Sequence, residues 1–339
     1  MNSRRTFLQT LFSSALFGSS YAQASSTLSM LEPTRTRGNK TRIAFGSCNR
    51  QTEKQPLWEQ IVALQPDLWV WGGDAVYADA TSRLEMYLKY RLQYFHPEYR
   101  RFLNSGIPIV GVWDDHDFGK NDSGSDYALK DYAQKVYLDF LGEPDHSPRR
   151  QQGGIYASYT VGPLGRQTKV ILLDVRYHQV DDDILGDQQW NWLWSELESS
   201  QADVNLIVSG LQIIPDSARK EKWANFGDSR SKLLNMIWRT KAKGVVLISG
   251  DRHFAEISSL PFGEHHLVEI TSSGMTHVRE PDRTNQYRFG VAYGGFNFGL
   301  LDIDWHQREI SVSIHGTNGP TRTRIRGQLD QLYQGRLSR

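Results

Sequence analysis

Six short apolar runs, each stopping in a loop of glycines or polar residues, restrict what this chain can fold into. Arg42-Ile43-Ala44-Phe45 runs into Gly46-Ser47-Cys48-Asn49, and Asp67-Leu68-Trp69-Val70-Trp71 into Gly72-Gly73-Asp74. Ile107 to Trp113 ends in Asp114-Asp115-His116-Asp117, and Val170 to Leu173 in Asp174-Val175-Arg176. Asn205 to Val208 leads to Ser209-Gly210-Leu211-Gln212, and Val245 to Ile248 to Ser249-Gly250-Asp251-Arg252-His253. Runs of four to seven such residues read as buried strands. Helical spacing fills the gaps at Pro56 to Leu64, Arg83 to Phe102, Ser125 to Leu141, from Gly186-Asp187 through Leu197, and Ser229 to Lys241.

Strands alternating with helices imply α/β layers. His266 to Ile270, Gly299 to Asp304 and Glu309 to His315 are strand-like with no helix between them, which predicts a second sheet. The expected fold is an α/β sandwich of two mixed sheets flanked by helices. In such sheets ligands collect beyond the carboxyl ends of strands. That rule gathers Cys48, Asp74, Tyr77, Asp115, His116, Asp251 and His253 at one rim.

The ends read differently. Ser3-Arg4-Arg5-Thr6-Phe7-Leu8, the apolar stretch Leu11 to Phe17 and Ala22-Gln23-Ala24 form a charged start, a short apolar core and an A-x-A ending. This defines an export signal over residues 1–24. The paired arginines are similar to a twin-arginine signal, which implies the twin-arginine export machinery as a partner and a periplasmic or extracellular location. Residues 25–40 read as a linker, 41–318 as the folded domain and 319–339 as a basic, solvated tail. No apolar run reaches the roughly 18 residues a membrane span needs. A formal net charge of +1 over 339 residues gives no reason to expect specific nucleic-acid binding. One cysteine, Cys48, permits no intrachain disulfide.

Several loops carry residues suited to chemistry. In Gly72-Gly73-Asp74-Ala75-Val76-Tyr77, two glycines permit close approach, a carboxylate is able to bridge two hard cations, and a phenolate follows three residues later. An N-cap aspartate beside a core tyrosine explains the same residues. Asp114, Asp115 and Asp117 crowd one histidine, a charge density that either holds metal or stays solvated. A flanking carboxylate keeps His116 protonated, as a general acid requires. With Asp122 the same turn also suggests an oxygen-only calcium site. Asp251 and His253 alternate and read either as two ligands or as a cap and a surface histidine. Arg176 offers a fork for a phosphoryl group, or an internal salt bridge.

Taken in order, Phe45-Gly46-Ser47-Cys48, Gly73-Asp74-Ala75-Val76-Tyr77-Ala78-Asp79, Trp113-Asp114-Asp115-His116-Asp117, Leu173-Asp174-Val175-Arg176, Ser249-Gly250-Asp251-Arg252-His253-Phe254-Ala255-Glu256 and Thr271-Ser272-Ser273-Gly274 resemble the PhoD-type alkaline phosphatase/phosphodiesterase family of the metallophosphatase superfamily. The resemblance spans about residues 42–305. It implies a metallophosphatase-like β-sandwich and hydrolysis of phosphate esters at a binuclear centre of ferric iron and calcium (Fe3+ and Ca2+). By motif, Cys48, Asp74, Tyr77 and His253 hold iron. Asp74 bridges to calcium, which Asp115 and Asp251 also hold. His116 takes the catalytic position, with Arg176 on a phosphoryl oxygen. Asp115 stands where the superfamily often has asparagine. The superfamily's ligand histidine on a middle strand is absent, and only Gln212 is on offer there. Expected substrates are phosphate monoesters, or phosphodiesters including phospholipids. Two other readings compete: a non-catalytic calcium-binding module using Asp114, Asp115, Asp117 and Asp122, and a hydrolase with Cys48 as nucleophile.

Overall fold

The computed structural model describes residues 29–30, 38–216, 220–263 and 265–332. The expected export signal, most of the linker and the last seven residues lie outside the described residues. In chain order the elements begin with strands β1 (Ser29–Met30) and β2 (Lys40–Gly46), helix α1 (Trp58–Leu64), β3 (Leu68–Gly72), α2 (Arg83–Phe95), α3 (Pro97–Asn104), β4 (Ile109–Val112), α4 (Asp115–Phe118) and α5 (Lys130–Leu141). Next come β5 (Ala157–Val161), β6 (Thr168–Leu172), α6 (Gly186–Glu198), β7 (Val204–Ser209), α7 (Gly227–Thr240) and β8 (Val245–Ser249). The chain then runs through β9 (Ala255–Phe262), β10 (His265–Ser272), β11 (Arg288–Tyr293), β12 (Phe298–Asp304), β13 (Glu309–Gly316), β14 (Gly319–Gln328) and α8 (Leu329–Leu332).

These strands form two mixed sheets, in orders β1-β5-β6-β7-β8-β10-β9-β11 and β14-β13-β12-β2-β3-β4. The runs read first from sequence make the parallel centres, β2-β3-β4 in one sheet and β6-β7-β8 in the other. Strand alternation sorts side chains between two cores. Val170, Leu172, Leu206, Val208, Val246 and Ile248 point into the interface shared with the six-stranded sheet. Ile171, Ile207 and Leu247 point the other way, against Trp190 and Leu193 of α6 and Leu233 and Ile237 of α7. On the far face of the six-stranded sheet, Trp58 stacks on Phe102 at 4.5 Å and meets Trp69 and Trp71 edge-on at 5.0 and 5.4 Å. Each such pair adds about 0.5–1.5 kcal/mol beyond area burial. The result is the expected order of layers, with helices outside two facing sheets.

Three local departures stand out. The single stretch expected from Arg83 to Phe102 is two helices, because Pro97 forces His96 into an extended ψ of 127° and starts α3 at its own first position. The helix expected from Ser125 begins only at Lys130, with Leu129 at its N-cap. The segment from Gly319 is not a solvated tail. It forms β14, antiparallel to β13, with Thr323 and Ile325 buried and Arg322, Arg324 and Arg326 outward. The arginines set the composition, while the alternating inward residues set the fold. Likewise the linker contributes β1, which pairs parallel to β5. Among the described residues, no helix is long and apolar enough to cross a membrane.

Candidate metal centre

The loops that follow β2, β3, β4, β6, β7 and β8 converge where the carboxyl ends of both parallel centres meet. The backbone ties them together. Asn49 N–H donates to the Asp74 carbonyl at 2.8 Å, and Gly250 N–H to the Gly210 carbonyl at 3.0 Å. Several non-glycine residues here adopt left-handed backbone: Cys48 (φ 60°), Asp74 (50°), Asp79 (40°), Asp251 (63°) and His253 (59°). Each costs about 1–2 kcal/mol relative to right-handed backbone. Such strain persists where surrounding structure enforces it, typically at functional sites.

Two clusters share one carboxylate. Ligand atoms of Cys48, Asp74 and His253 lie within 4.8 Å of one another, as do those of Asp74, Asp115 and His116. Cys48 Sγ sits 3.4 Å from Asp74 Oδ2 and 3.0 Å from Ser273 Oγ. Tyr77 Oη is 3.1 Å from His253 Nε2, which brings the phenol to the first cluster. Tyr77 also stacks on His116, ring centroids 4.3 Å apart. Asp115 accepts N–H groups from His116 at 3.0 Å and Asp122 at 2.8 Å. Asp251 is half-buried, with its nearest cation Arg252 at 3.7 Å. It falls in neither three-residue cluster.

The electrostatics of this metal-free arrangement are adverse. Burial, then the Asp74 charge, pushes the Cys48 thiol well above its ordinary range. Burial and the Asp115 charge do the same to Asp74, whose Oδ1 is buried without a hydrogen-bond partner. Burial and Cys48 raise Tyr77. Burial, with Asp115 beside it, pushes Asp251 up to about 6. Burial, reinforced by His277 and Arg279, lowers His253 to about 3 and so keeps its imidazole neutral. Burial also pulls His116 down, but its bond to Asp79 and the charges of Asp74 and Asp115 prevail and lift it to about 10. A neutral imidazole, a thiol, a phenol and crowded carboxylates are a donor set that bound cations would ionise and stabilise. The residues therefore fit a binuclear metal group.

The structure corrects the expectation that Arg176 clamps a phosphoryl oxygen. Its guanidinium is wholly buried and turned to Asp114 (2.7 and 2.5 Å) and Glu221 (2.8 Å). The salt-bridge partner is Asp114 rather than Asp174, which instead holds the Trp113 indole at 2.8 Å and three backbone N–H groups. Asp114 sits under Gly73 and Gly210, where an added Cβ would come within 2.7 Å of it. Asp117 is likewise structural, accepting N–H from Val76 and Asp114. Gln212 donates its amide to Glu256 and Thr271. Two of the four aspartates of the calcium-module reading, Asp114 and Asp117, are thus taken by other partners. Cys48 is fully buried with a raised pKa, the opposite of a reactive thiolate.

Several contributors escaped sequence reading. Asp79 Oδ1 holds His116 Nδ1 at 2.6 Å. Ser273 Oγ also takes the His253 N–H at 2.8 Å, and Asn297 Oδ1 holds Ser273 N–H at 3.1 Å. His277 lies 4.0 Å from the His253 ring. Asp79 and Ser273 stand inside quoted motifs, so spacing alone was able to flag them. Asn297 and His277 carry no local signal.

A two-sheet α/β sandwich with this rim is the architecture of a metal-dependent phosphoesterase. The chain matches the family model of the PhoD-like phosphatases over residues 43–294 and belongs to that family. No curated protein sequence matches it significantly. Among solved structures it is similar to that of PhoD, at TM-score 0.70 and 18% identity, covering 90% of this chain and 72% of that one. It is similar also to GAP50, the anchor in the inner membrane complex of Plasmodium (TM-score 0.56, 12% identity, 85% and 90% covered). A dimetal phosphatase from Danio rerio matches at TM-score 0.52 and 12% identity, with 84% and 98% covered. Those likenesses establish the fold. An anchor shares it with phosphatases, so function rests on the site and the family.

Proposed function

We propose that this chain hydrolyses phosphate esters at a binuclear centre whose two cations share Asp74. The observation that carries this is the pair of overlapping clusters, each with its ligand atoms within 4.8 Å. Cys48, Asp74, Tyr77 and His253 offer a thiolate, a carboxylate, a phenolate and an imidazole, a mixed set that suits ferric iron. Asp74, Asp115 and Asp251 offer only oxygen and suit calcium. When bound, two such cations neutralise phosphate oxygens and acidify water for attack on phosphorus.

The remaining steps belong to the chain. His116, held at Nδ1 by Asp79, presents Nε2 to the leaving oxygen and donates its proton. Arg176 works from beneath, neutralising Asp114 so that the acidic loop after β4 keeps its shape. Arg4-Arg5 and the following apolar run support export through the twin-arginine machinery to the periplasm or medium.

The test is hydrolysis of a chromogenic phosphate monoester and the matching diester by purified protein, as isolated, after chelation and after calcium add-back. Loss on chelation with recovery on calcium is expected, together with a visible charge-transfer band from phenolate or thiolate on iron. Activity indifferent to chelator and no such band would overturn the reading. The faster substrate assigns monoester or diester preference. Cell fractionation of wild type against an Arg4→Lys, Arg5→Lys variant tests export, and unchanged localisation would refute the twin-arginine route.

A further inference from the structure

Helix α2 buries one face and leaves another bare. Met86, Tyr90, Gln93 and Tyr94 are inside, as helical spacing requires. Leu84, Leu88, Leu92 and Phe95 are outside, with 66, 51, 55 and 43% of their surfaces exposed. Their spacing of four, four and three residues sets them in one stripe, about 16 Å long at 1.5 Å per residue. Half of the exposed large apolar side chains of the described residues stand on this one helix. Single exposed leucines are ordinary; a contiguous stripe marks an interaction surface.

The charge around the stripe decides what covers it. Helices α2 and α3 carry Arg83, Lys89, Arg91, Arg100 and Arg101 against Glu85 and Glu98. Both acids are occupied, Glu85 by Lys89 at 2.9 Å and Glu98 by the Gln55 N–H at 2.6 Å. No carboxylate among the described residues forms an ion pair with the four arginines. The guanidinium groups of Arg91 and Arg100 lie 4.6 and 6.0 Å from the Phe95 ring, at the end of the stripe. A second copy of the chain would set these cations against their like. An apolar stripe edged by arginines that rest on aromatic rings and form no ion pair has instead the composition of a helix lying in the interface of an anionic bilayer.

We propose that α2 docks the protein on an anionic lipid surface, with Leu84, Leu88, Leu92 and Phe95 entering the acyl boundary and the flanking arginines meeting headgroup phosphates. Docking also orients the metal centre. Helix α2 follows directly on the loop that carries Asp74, Tyr77 and Asp79, and Lys89 Nζ donates to the Ala78 carbonyl at 2.6 Å. The proposal stands on the helix and not on the reading of the site.

The experiment is vesicle flotation of the full protein with phosphatidylcholine alone and with phosphatidylcholine mixed with phosphatidylglycerol. Binding is expected on the mixed vesicles, weaker on the neutral ones, and reduced by high salt. Leu88→Glu with Leu92→Glu should cut binding at least about tenfold. Both positions are exposed, so thermal melting and hydrolysis of a soluble ester should stay as in wild type. Arg83→Gln with Arg101→Gln should weaken binding to the anionic vesicles only, which keeps the test alive if the glutamate variant misfolds. No flotation on anionic vesicles, or equal flotation by the folded variants, overturns the proposal. So does a dimer in analytical ultracentrifugation that Leu88→Glu with Leu92→Glu converts to monomer, because the stripe then belongs to a second copy.

Discussion

Replacing Asp79 by asparagine removes a charge and leaves the shape. Asparagine tolerates the left-handed φ of 40° found there, and its amide still reaches His116 Nδ1. The lost element is the carboxylate that holds the imidazolium through a 2.6 Å bond. Hydrogen bonds to charged groups contribute about 1.5–3 kcal/mol. Asp79 is itself 40% exposed, so screening favours the lower half of that range. At about 1.4 kcal/mol per pKa unit, the His116 pKa should drop by roughly one to one and a half units, so at alkaline pH the protonated fraction, and kcat with it, should fall roughly 10- to 40-fold. KM should hardly change, because the bond decides whether His116 carries the proton it donates rather than how substrate binds. The sign of the pH effect follows from the same contact. Asp79 raises the pKa of His116, so without its charge the imidazolium loses its proton at lower pH, and the alkaline limb of the kcat profile moves toward neutrality. His116→Asn sets the ceiling, and the double variant should be no slower than His116→Asn alone. Unchanged kcat and alkaline limb in Asp79→Asn, or additive losses in the double variant, would refute the assignment of Asp79 as the residue that positions and charges His116.

Three further outcomes follow from the site. Arg176→Met leaves Asp114 charged and buried, so thermal denaturation should show a loss of about 3–5 kcal/mol; a stable variant altered only in KM would return Arg176 to the phosphoryl oxygen. Cys48→Ser should fold and either lose iron or shift its charge-transfer band, with only the Tyr77 phenolate left to supply it, read by absorption and metal analysis, whereas an unshifted band at unchanged iron content would remove Cys48 from the ligands. Burial raises Asp117 to about 8 and Asp251 to about 6 in the metal-free protein. Folded values above the unfolded one of about 3.9 mean stability fully present below that value and lost as pH rises through 6 and then 8. His253, held at about 3, opposes this trend below about pH 6.5, so scanning calorimetry of chelated protein should show a melting temperature that falls from about pH 6.5 to 8.5. The gap to metal-loaded protein should widen over the same window, and a gap that narrows would contradict the placement of a cation on Asp251.

The legible part of the fold was the part with period. Runs such as Leu68–Gly72 and Val204–Ser209 are buried along their whole length and stand out from the polar loops they enter. Strands half open to solvent did not stand out. In β14, Arg322, Arg324 and Arg326 dominate the composition, and the inward Thr323 and Ile325 become visible only once β13 supplies a partner. The site divides similarly. The strand-end residues that cluster in space, Cys48, Asp74, Asp115, His116 and His253, were legible because topology and motif agree on them. Arg176 was read correctly as a charged fork and wrongly as free, since its partner Asp114 lies 62 positions away on another loop. Asn297, which fixes Ser273, is brought there by an isolated antiparallel bridge to Gly274, 23 positions earlier.

The division has a physical root. First-contact ligands must sit where backbone can approach an ion closely, so glycines and strand ends betray them. The residues that hold those ligands are chosen by what the fold brings near, and any element is able to supply them. Asp114 shows the consequence. It stands next to Asp115 in sequence and carries the same charge, yet the two point to different tasks: one lies under Gly73 and Gly210 against a buried arginine, the other in the cluster with Asp74 and His116. A run of acids after a strand therefore specifies a cation less by its count of carboxylates than by which of them the scaffold neutralises. Here Arg176 and the N–H groups of Val76 and Asp114 take two of the three, Asp114 and Asp117. Asp115 also accepts two N–H groups, from His116 and Asp122, but it alone of the three lies in the cluster with Asp74 and His116, and the buried, unpartnered Asp74 Oδ1 is the atom a cation would complete.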